Sequence, residues 1–155
     1  MFYVAPSRLS HANDGLFAKR PIERGTLIRM TPKTACTGLD HLNYYIPRDS
    51  DEMSPCVVNG RLSTVKEARN VCKKNLSKKT LVCAPSDILM KANDLGWDAR
   101  ARMTPHKYQA RIHRNAFEFV LSVDREGVNG IYAYFTRDIR MEEEIGSTYG
   151  WEYWS

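Results

Sequence analysis

The sequence lacks any apolar run that approaches the roughly 20 residues needed to cross a membrane as a helix. Its first residues, MFYVAPSRLS, contain neither a charged leader nor an apolar stretch followed by a cleavage site. Internal repeats and low-complexity segments are also missing. These absences predict a soluble, intracellular protein and give no reason to expect a membrane partner or a repeat fold.

Cysteine is sparse and scattered along the chain. Cys36, Cys56, Cys72 and Cys83 include no pair at the CxxC spacing that zinc sites commonly use. We therefore predict free thiols in a reducing compartment and no metal site.

Neither hydrophobicity nor charge is extreme. Hydrophobic residues make up 43% and charged residues 26% of the 155 positions, which is typical of a globular protein and predicts one domain over residues 1–155. Lysine and arginine number 23 against 18 acidic residues, giving a net charge of +5. This excess favours acidic partners, but an ordinary soluble surface explains it equally well. Direct binding of nucleic acid is therefore not expected.

Local patterns predict many short strands and two modest helices. Thr64 and Glu67 form a capping box before one helix, and Thr104 and Pro105 begin another. The segment from Phe117 to Val123 alternates apolar and polar residues, as a half-buried strand does. The expected fold class is α+β and mostly β, with function carried on long connections.

The segment from Leu16 to Met30 predicts two short strands joined by a tight turn at Glu23 to Gly25. Just before it, Asn13 and Gly15 are residue types that tolerate a positive φ. A loop at this point could bend sharply and present backbone amides to a ligand. A plain entry into a hairpin is the alternative.

The last residues concentrate aromatic side chains at Tyr149, Trp151, Tyr153 and Trp154. Chain termini are usually polar and frayed, so this end is predicted to fold back into the body of the domain. The rings either complete a core or form the wall of a pocket, and the pattern alone does not decide between the two.

Three separated segments together resemble the SET domain of protein lysine methyltransferases. NDGLFAKRPIERGTLI (13–28) is similar to the family's GxG loop and following turn, KANDLGW (91–97) to its Asn-His segment, and RDIRMEEEIGSTYG (137–150) to its acidic, Tyr-Gly close. The resemblance implies several short sheets, few helices and a tucked, knot-like C-terminal segment. Residues 32–85 match only as a variable insert, and no separate cysteine-rich zinc domain before or after the SET domain is expected.

Several positions depart from the family's pattern. Asn13 stands where a glycine is common, and asparagine is the residue best suited to replace glycine at a positive φ. Asp94 replaces the usual histidine, and Glu142 replaces the glycine of the acidic turn. A long stretch separates Asn93 from Asn115, which matches the family's second asparagine.

The resemblance implies a site for S-adenosylmethionine beside a channel for a lysine side chain. Tyr149 matches the catalytic tyrosine, whose hydroxyl would orient the amine and the methyl group. Trp151 and Tyr153 would wall the channel, and the small Ser147 implies room for more than one methyl group. The implied cofactor contacts come from Asn13, Asp14, Gly15, Leu16, Asn93, the main chain of Asp94, and Trp154.

The implied function is methyl transfer from S-adenosylmethionine to a lysine of a protein, with histone tails as a candidate substrate and a nuclear location in that case. A lysine amine has a pKa of about 10.4, so losing its proton at pH 7 costs roughly 4 to 5 kcal/mol, which a desolvating aromatic channel reduces. The altered Asn13, Asp94 and Glu142 keep a second interpretation open: a catalytically silent SET-like module that binds a basic peptide or a partner protein.

Overall fold

The computed structural model describes most of the chain. The described residues are 1–9, 12–30, 41–44, 46–78, 80–83 and 87–155, with the backbone alone at 41–44 and 80–83. They form two compact units, one of residues 1–26, 88–118 and 134–155 and the other of residues 27–87 and 119–133. Cys36 and residues 32–40 of the predicted insert lie outside the described residues. The single domain over 1–155 stays a prediction.

Short strands outnumber helices among the described residues, which confirms the α+β, mostly β fold class. In chain order the elements are β1 (Phe2–Pro6), β2 (Asp14–Ala18), β3 (Leu27–Arg29), β4 (His41–Tyr44), β5 (Pro55–Val58), β6 (Arg61–Thr64), α1 (Val65–Val71), β7 (Thr80–Cys83), α2 (Pro105–Arg111), β8 (Phe117–Asp124), β9 (Gly127–Phe135), β10 (Glu144–Ile145) and α3 (Trp151–Trp154). Single 3-10 turns cover Ile88–Lys91 and Ile112–Arg114. No helix in the described part of the chain is long and apolar enough to span a membrane.

The first unit contains an antiparallel sheet in the order β1-β2-β10. The central strand β2 is buried from Gly15 to Ala18, as its apolar run predicts. Its register places Leu16 opposite Val4 on one side and Ile145 on the other. The sheet therefore brings the N-terminal loop next to the acidic segment that precedes the C-terminus.

The C-terminal segment passes between two other stretches of backbone in the first unit. Gly146 forms a parallel bridge with Asn93, and Ser147 forms one with Phe117. A Cβ atom on Gly146 would lie 2.4 Å from the Asn115 side-chain oxygen, so only glycine fits this close approach. This crossing is the tucked, knot-like segment that the resemblance implies.

The second unit contains a sheet in the order β3-β9-β8-β5-β6 and a separate antiparallel pair, β4 and β7. Helix α1 begins at the predicted cap, where the Thr64 hydroxyl accepts a hydrogen bond from the Glu67 backbone N–H at 3.3 Å. Its apolar face joins a core cluster of Ile46, Cys56, Val58, Val65, Ala68, Leu76 and Val123. Both predicted helices, α1 and α2, are confirmed.

One local prediction for the N-terminal segment is wrong, and a backbone conformation that Asn13 could tolerate does not occur there. Strands β2 and β3 do not pair as a hairpin, because β2 pairs with β1 and β10 whereas β3 belongs to the sheet of β9. Asn13 does not adopt a positive φ, which among described non-glycine residues occurs only at Asn59 and Glu142. Glu142, at φ 66°, therefore adopts the left-handed backbone conformation that favours glycine, whereas Asn13 does not.

Candidate functional site

Asp94 is the centre of a buried polar network in the first unit, with only 1% of its surface exposed. Its Oδ1 atom accepts hydrogen bonds from the Gly96 backbone N–H at 2.9 Å and from the Asn115 amide at 3.1 Å. The Asn115 side chain in turn accepts from the Leu95 backbone N–H at 2.8 Å. One carboxylate oxygen thus fixes the turn that follows Asp94.

The second oxygen, Oδ2, accepts three further hydrogen bonds from distant parts of the chain. The Tyr108 hydroxyl donates a short one, the Trp154 indole N–H donates at 2.9 Å and the Tyr149 backbone N–H donates at 3.1 Å. Burial raises the pKa of Asp94, but the donors outweigh it and the net pKa lies below its usual range. Asp94 is therefore a carboxylate at neutral pH.

Tyr149, the match to the family's catalytic tyrosine, is 40% exposed. Its hydroxyl donates a hydrogen bond to the Ala92 backbone carbonyl at 2.8 Å. Burial is the main cause that raises its pKa, with smaller contributions from Tyr153 and Asp94. Because the phenol stays neutral at pH 7, its hydroxyl can orient a neighbouring group but does not act as a phenolate base.

The aromatic side chains at the C-terminus pack against one another. The Trp154 ring stacks on Trp97 with centroids 4.5 Å apart and on Tyr149 at 5.7 Å. Tyr153 meets the edge of Tyr149 at 4.9 Å and is itself 67% exposed. Trp151 tilts against Trp97 at 6.2 Å. The structure brings Tyr153 and Trp154 together with Tyr149, whereas Trp151 packs against Trp97 and Tyr108.

A second buried carboxylate, Glu144, holds the N-terminal loop. It accepts hydrogen bonds from the Ser7 hydroxyl at 2.8 Å and from the Arg8 backbone N–H at 2.9 Å. The Asn93 amide lies 3.5 Å from Glu144 and donates to the Asp14 carbonyl at 2.8 Å. The structure therefore joins the predicted Asn93 to the predicted loop.

The other predicted loop residues lie at the start of β2 or within it. Asn13 and Asp14 are exposed, whereas Gly15 and Leu16 are buried. A Cβ atom on Gly15 would lie 2.6 Å from a Glu144 carboxylate oxygen, so this glycine is required by close packing and not by a positive φ.

Ser147 is 2% exposed, and its hydroxyl has no hydrogen-bond partner within the described residues. Its backbone N–H donates to the Asn93 carbonyl at 2.9 Å. A buried hydroxyl without a partner costs about 1 to 3 kcal/mol, so this side chain is not placed there for stability.

A cavity of about 510 Å³ lies beside this network in the first unit. Its walls include none of the predicted site residues, although Thr148 and Asn115 contact the network around Asp94. The lining residues are Gln109, Ile112, His113, Asn115, Phe117, Glu118, Thr136, Arg137 and Thr148.

No pattern in the sequence points directly to Tyr108 or Glu144 as site residues. Tyr108 lies on α2, 14 residues from its partner Asp94, and Glu144 lies 137 residues from Ser7. A buried tyrosine at a helical spacing is usually a core residue. Asn115 was visible only as the match to the family's second asparagine.

The SET domain family model matches residues 13–150. The match covers most of the chain, and the chain therefore belongs to the SET-domain family. The family's usual activity is methyl transfer to protein lysine, generally from S-adenosylmethionine. A comparison with curated proteins found no match.

Proposed function

We propose that the protein transfers a methyl group from S-adenosylmethionine to a lysine side chain of a protein, with histone tails in chromatin as the first candidate substrate. The observation that carries this proposal is the placement of Tyr149. Its hydroxyl is fixed by the Ala92 carbonyl at 2.8 Å, and its half-exposed ring adjoins the aromatic cluster of Tyr153 and Trp154.

The residues near β2 fit a cofactor that carries a sulfonium cation, an amine and a carboxylate. Asn13 and Asp14 are exposed polar residues, and Asn93 lies within hydrogen-bond distance of Asp14. Tyr149 is 40% exposed, and an exposed part of its ring would attract a cation through the ring quadrupole. When bound, S-adenosylmethionine supplies an activated methyl group.

The tyrosine hydroxyl would act by orientation. It uses its proton to hold the Ala92 carbonyl, which leaves its lone pairs free to accept a hydrogen bond from a lysine amine. Holding the amine in line with the methyl group removes a large entropic part of the barrier. Exposed Tyr153 and half-buried Trp151 would reduce the amine's contact with water and favour its neutral form.

The decisive experiment incubates the protein with methyl-labelled S-adenosylmethionine and a panel of histones and cell extract. The labelled residue is then identified by mass spectrometry. We expect label on lysine and about a hundredfold loss of kcat in Tyr149→Phe, as for removal of a catalytic hydrogen-bonding group. The matched control is Tyr132→Phe on β9, which keeps its ring beside Arg29. Equal activity of Tyr149→Phe and the wild type would overturn the role of the hydroxyl.

The alternative is a silent SET-like module that binds a basic peptide. The observation in its favour is that the Asn93 amide already donates to Asp14 and that both Asp94 oxygens are occupied within the protein. Calorimetry separates the two functions, because a silent module binds the peptide without binding S-adenosylmethionine.

A further inference from the structure

We propose that Asp94 and Tyr108 are positioning residues that hold the C-terminal aromatic helix α3 against Tyr149. We call Asp94, Tyr108, Thr148 and Trp154 the Asp94 clamp. The kinetic part of this inference rests on the proposed function. The attachment of the helix depends on the fold alone.

The clamp gathers three remote segments on one oxygen atom. Asp94 Oδ2 accepts from α2 through Tyr108, from the backbone of Tyr149 and from α3 through Trp154. The last two partners lie 55 and 60 residues away along the chain. Loss of this single acceptor therefore removes one anchor from Tyr149 and one from the end of the chain.

Helix α3 depends on such an external anchor. It has four residues, begins after Gly150 at φ 83° and has no side-chain cap. A helix of one turn is not stable alone in water, because the free-energy cost of nucleating it exceeds the stabilisation that a single turn provides. Its attachment includes the Trp154 hydrogen bond to Asp94, the stacking of Trp154 on Trp97 and the contact of Trp151 with Tyr108.

Tyr108 extends the clamp to the residues that flank Tyr149. Its hydroxyl is 2.8 Å from the Thr148 hydroxyl, and Thr148 Oγ1 accepts from the Gly150 backbone N–H at 3.2 Å. Because Tyr108 donates to Asp94, Thr148 donates to Tyr108. The donors then form one chain from Gly150 through Thr148 and Tyr108 to the carboxylate.

Only a carboxylate fills this position well. A neutral histidine ring, the family's usual side chain here, has a single acceptor nitrogen and could not accept all of these hydrogen bonds. The long stretch between Asn93 and Asn115 contains Tyr108, which donates a hydrogen bond to Asp94. The aspartate at position 94 and the long stretch that contains Tyr108 thus act together, although each departs from the family's pattern. This joint action argues against loss of function as the cause of the two departures.

The test uses Asp94→Asn and Tyr108→Phe, with Tyr132→Phe as the matched control. Chymotrypsin cleavage after Tyr149 or Trp151, followed by mass spectrometry under native conditions, reports opening of the C-terminal segment. We expect at least tenfold faster cleavage in Asp94→Asn, a smaller increase in Tyr108→Phe and none in the control. Unchanged cleavage in both clamp variants would overturn the proposal, and this readout does not require methyltransferase activity.

Kinetics test the positioning role. With an accepted peptide, we expect kcat to fall about tenfold in Tyr108→Phe at unchanged folded fraction, with KM changed less than threefold. Asp94→Asn combined with Trp154→Phe should cost less than the sum of the two single losses, because both changes remove the same hydrogen bond, whereas only Trp154→Phe also alters the stacking on Trp97. If the losses of the two single variants simply add in the double variant, Asp94 does not act through Trp154. If the wild type transfers no methyl group, the proposed function fails while the cleavage result still decides the clamp.

Discussion

Two buried carboxylates, Asp94 and Glu144, organise opposite parts of the candidate site. Glu144 holds the loop of Ser7 and Arg8 beside β2, and Asp94 holds the turn at Gly96 together with the C-terminal residues. Both are almost fully buried. Each oxygen is nevertheless satisfied by neutral donors, which stabilise a buried charge through hydrogen bonds in place of an ion pair.

The two networks differ in how many of their donors cannot reverse: one backbone N–H, from Arg8, at Glu144, against two backbone N–H groups and an indole N–H at Asp94. The Ser7 hydroxyl beside Glu144 can donate or accept, so it can adapt to a changed partner. The Trp154 indole and the Tyr149 backbone N–H beside Asp94 can only donate. The loop side of the site should therefore tolerate loss of charge better than the aromatic side.

The largest expected effect comes from Gly146→Ala, which disturbs the hydrogen-bond network of Asp94. The new Cβ would lie 2.4 Å from the Asn115 oxygen and 2.5 Å from the Leu95 side chain, and Asn115 itself donates to Asp94. We expect the free energy of unfolding to fall by about 3 kcal/mol, as in severe overpacking. Urea denaturation measures it.

Gly130→Ala is the matched control for this change. Its added Cβ would come no closer than 3.5 Å to the flexible Arg29 side chain. A loss in Gly130→Ala as large as that in Gly146→Ala would show that glycine substitution in general, and not the crossing at Gly146, is responsible.

Asp94→Asn and Glu144→Gln compare the two carboxylates themselves. The asparagine amide would face donors that cannot reverse, so we expect a loss of about 2 to 3 kcal/mol of unfolding free energy. The glutamine oxygen can still accept from Arg8, and Ser7 can reverse, so we expect less than about 1 kcal/mol for Glu144→Gln. Parallel urea curves at pH 7 give both values. A loss in Glu144→Gln equal to that in Asp94→Asn would contradict the distinction between fixed and reversible donors.

Glu118 is a third carboxyl group, and we expect a smaller effect on stability from changing it. Burial raises the pKa of this group. A raised folded pKa means that the charged form is disfavoured in the folded state, so stability falls as pH rises above the ordinary glutamate pKa of 4.5. Asp94 has the opposite sign, and its contribution is lost only as pH falls through its lowered folded pKa. We expect Glu118→Gln to raise the melting temperature at pH 7.

The control for this prediction is the same pair of proteins at acid pH, where the wild-type Glu118 is protonated. The difference in melting temperature should shrink there. A difference that is independent of pH would mean that the substitution acts through packing and not through charge.

Much of the frame was predictable because its signals are local. The cap at Thr64, the proline-initiated α2 and the alternating strand at Phe117 each depend on neighbouring residues, and each is confirmed. The N-terminal hairpin was wrong because strand pairing is decided by distant segments. Glycine at position 15 suggested an unusual backbone, but the true reason, contact with Glu144, lies 129 residues away in the sequence and is visible only in the fold.

The site was predictable where a family motif or the aromatic C-terminus marks it. Tyr149 and Asn93 lie in segments that resemble the family and Trp154 lies in the aromatic C-terminus, and their roles stay predictions. Asp94 was expected to offer its main chain to a cofactor, whereas its side chain is the centre of the buried network. Hydrogen bonds that join residues far apart in sequence leave no periodic pattern, and Tyr108 was missed for this reason.

The smallest expected effect concerns Ser147, the buried hydroxyl that has no partner among the described residues. Ser147→Ala removes an unsatisfied polar group at the cost of a small void, so we expect a change in unfolding free energy within about 1 kcal/mol, in the stabilising direction. Ser7→Ala is the matched control, since its hydroxyl donates to Glu144 at 2.8 Å and accepts from Leu9 at 3.1 Å. That variant should lose about 1 kcal/mol. Urea denaturation of both variants therefore separates a hydroxyl that supports the Glu144 network from one that supports no contact, and a destabilised Ser147→Ala would mean that Ser147 is satisfied in solution.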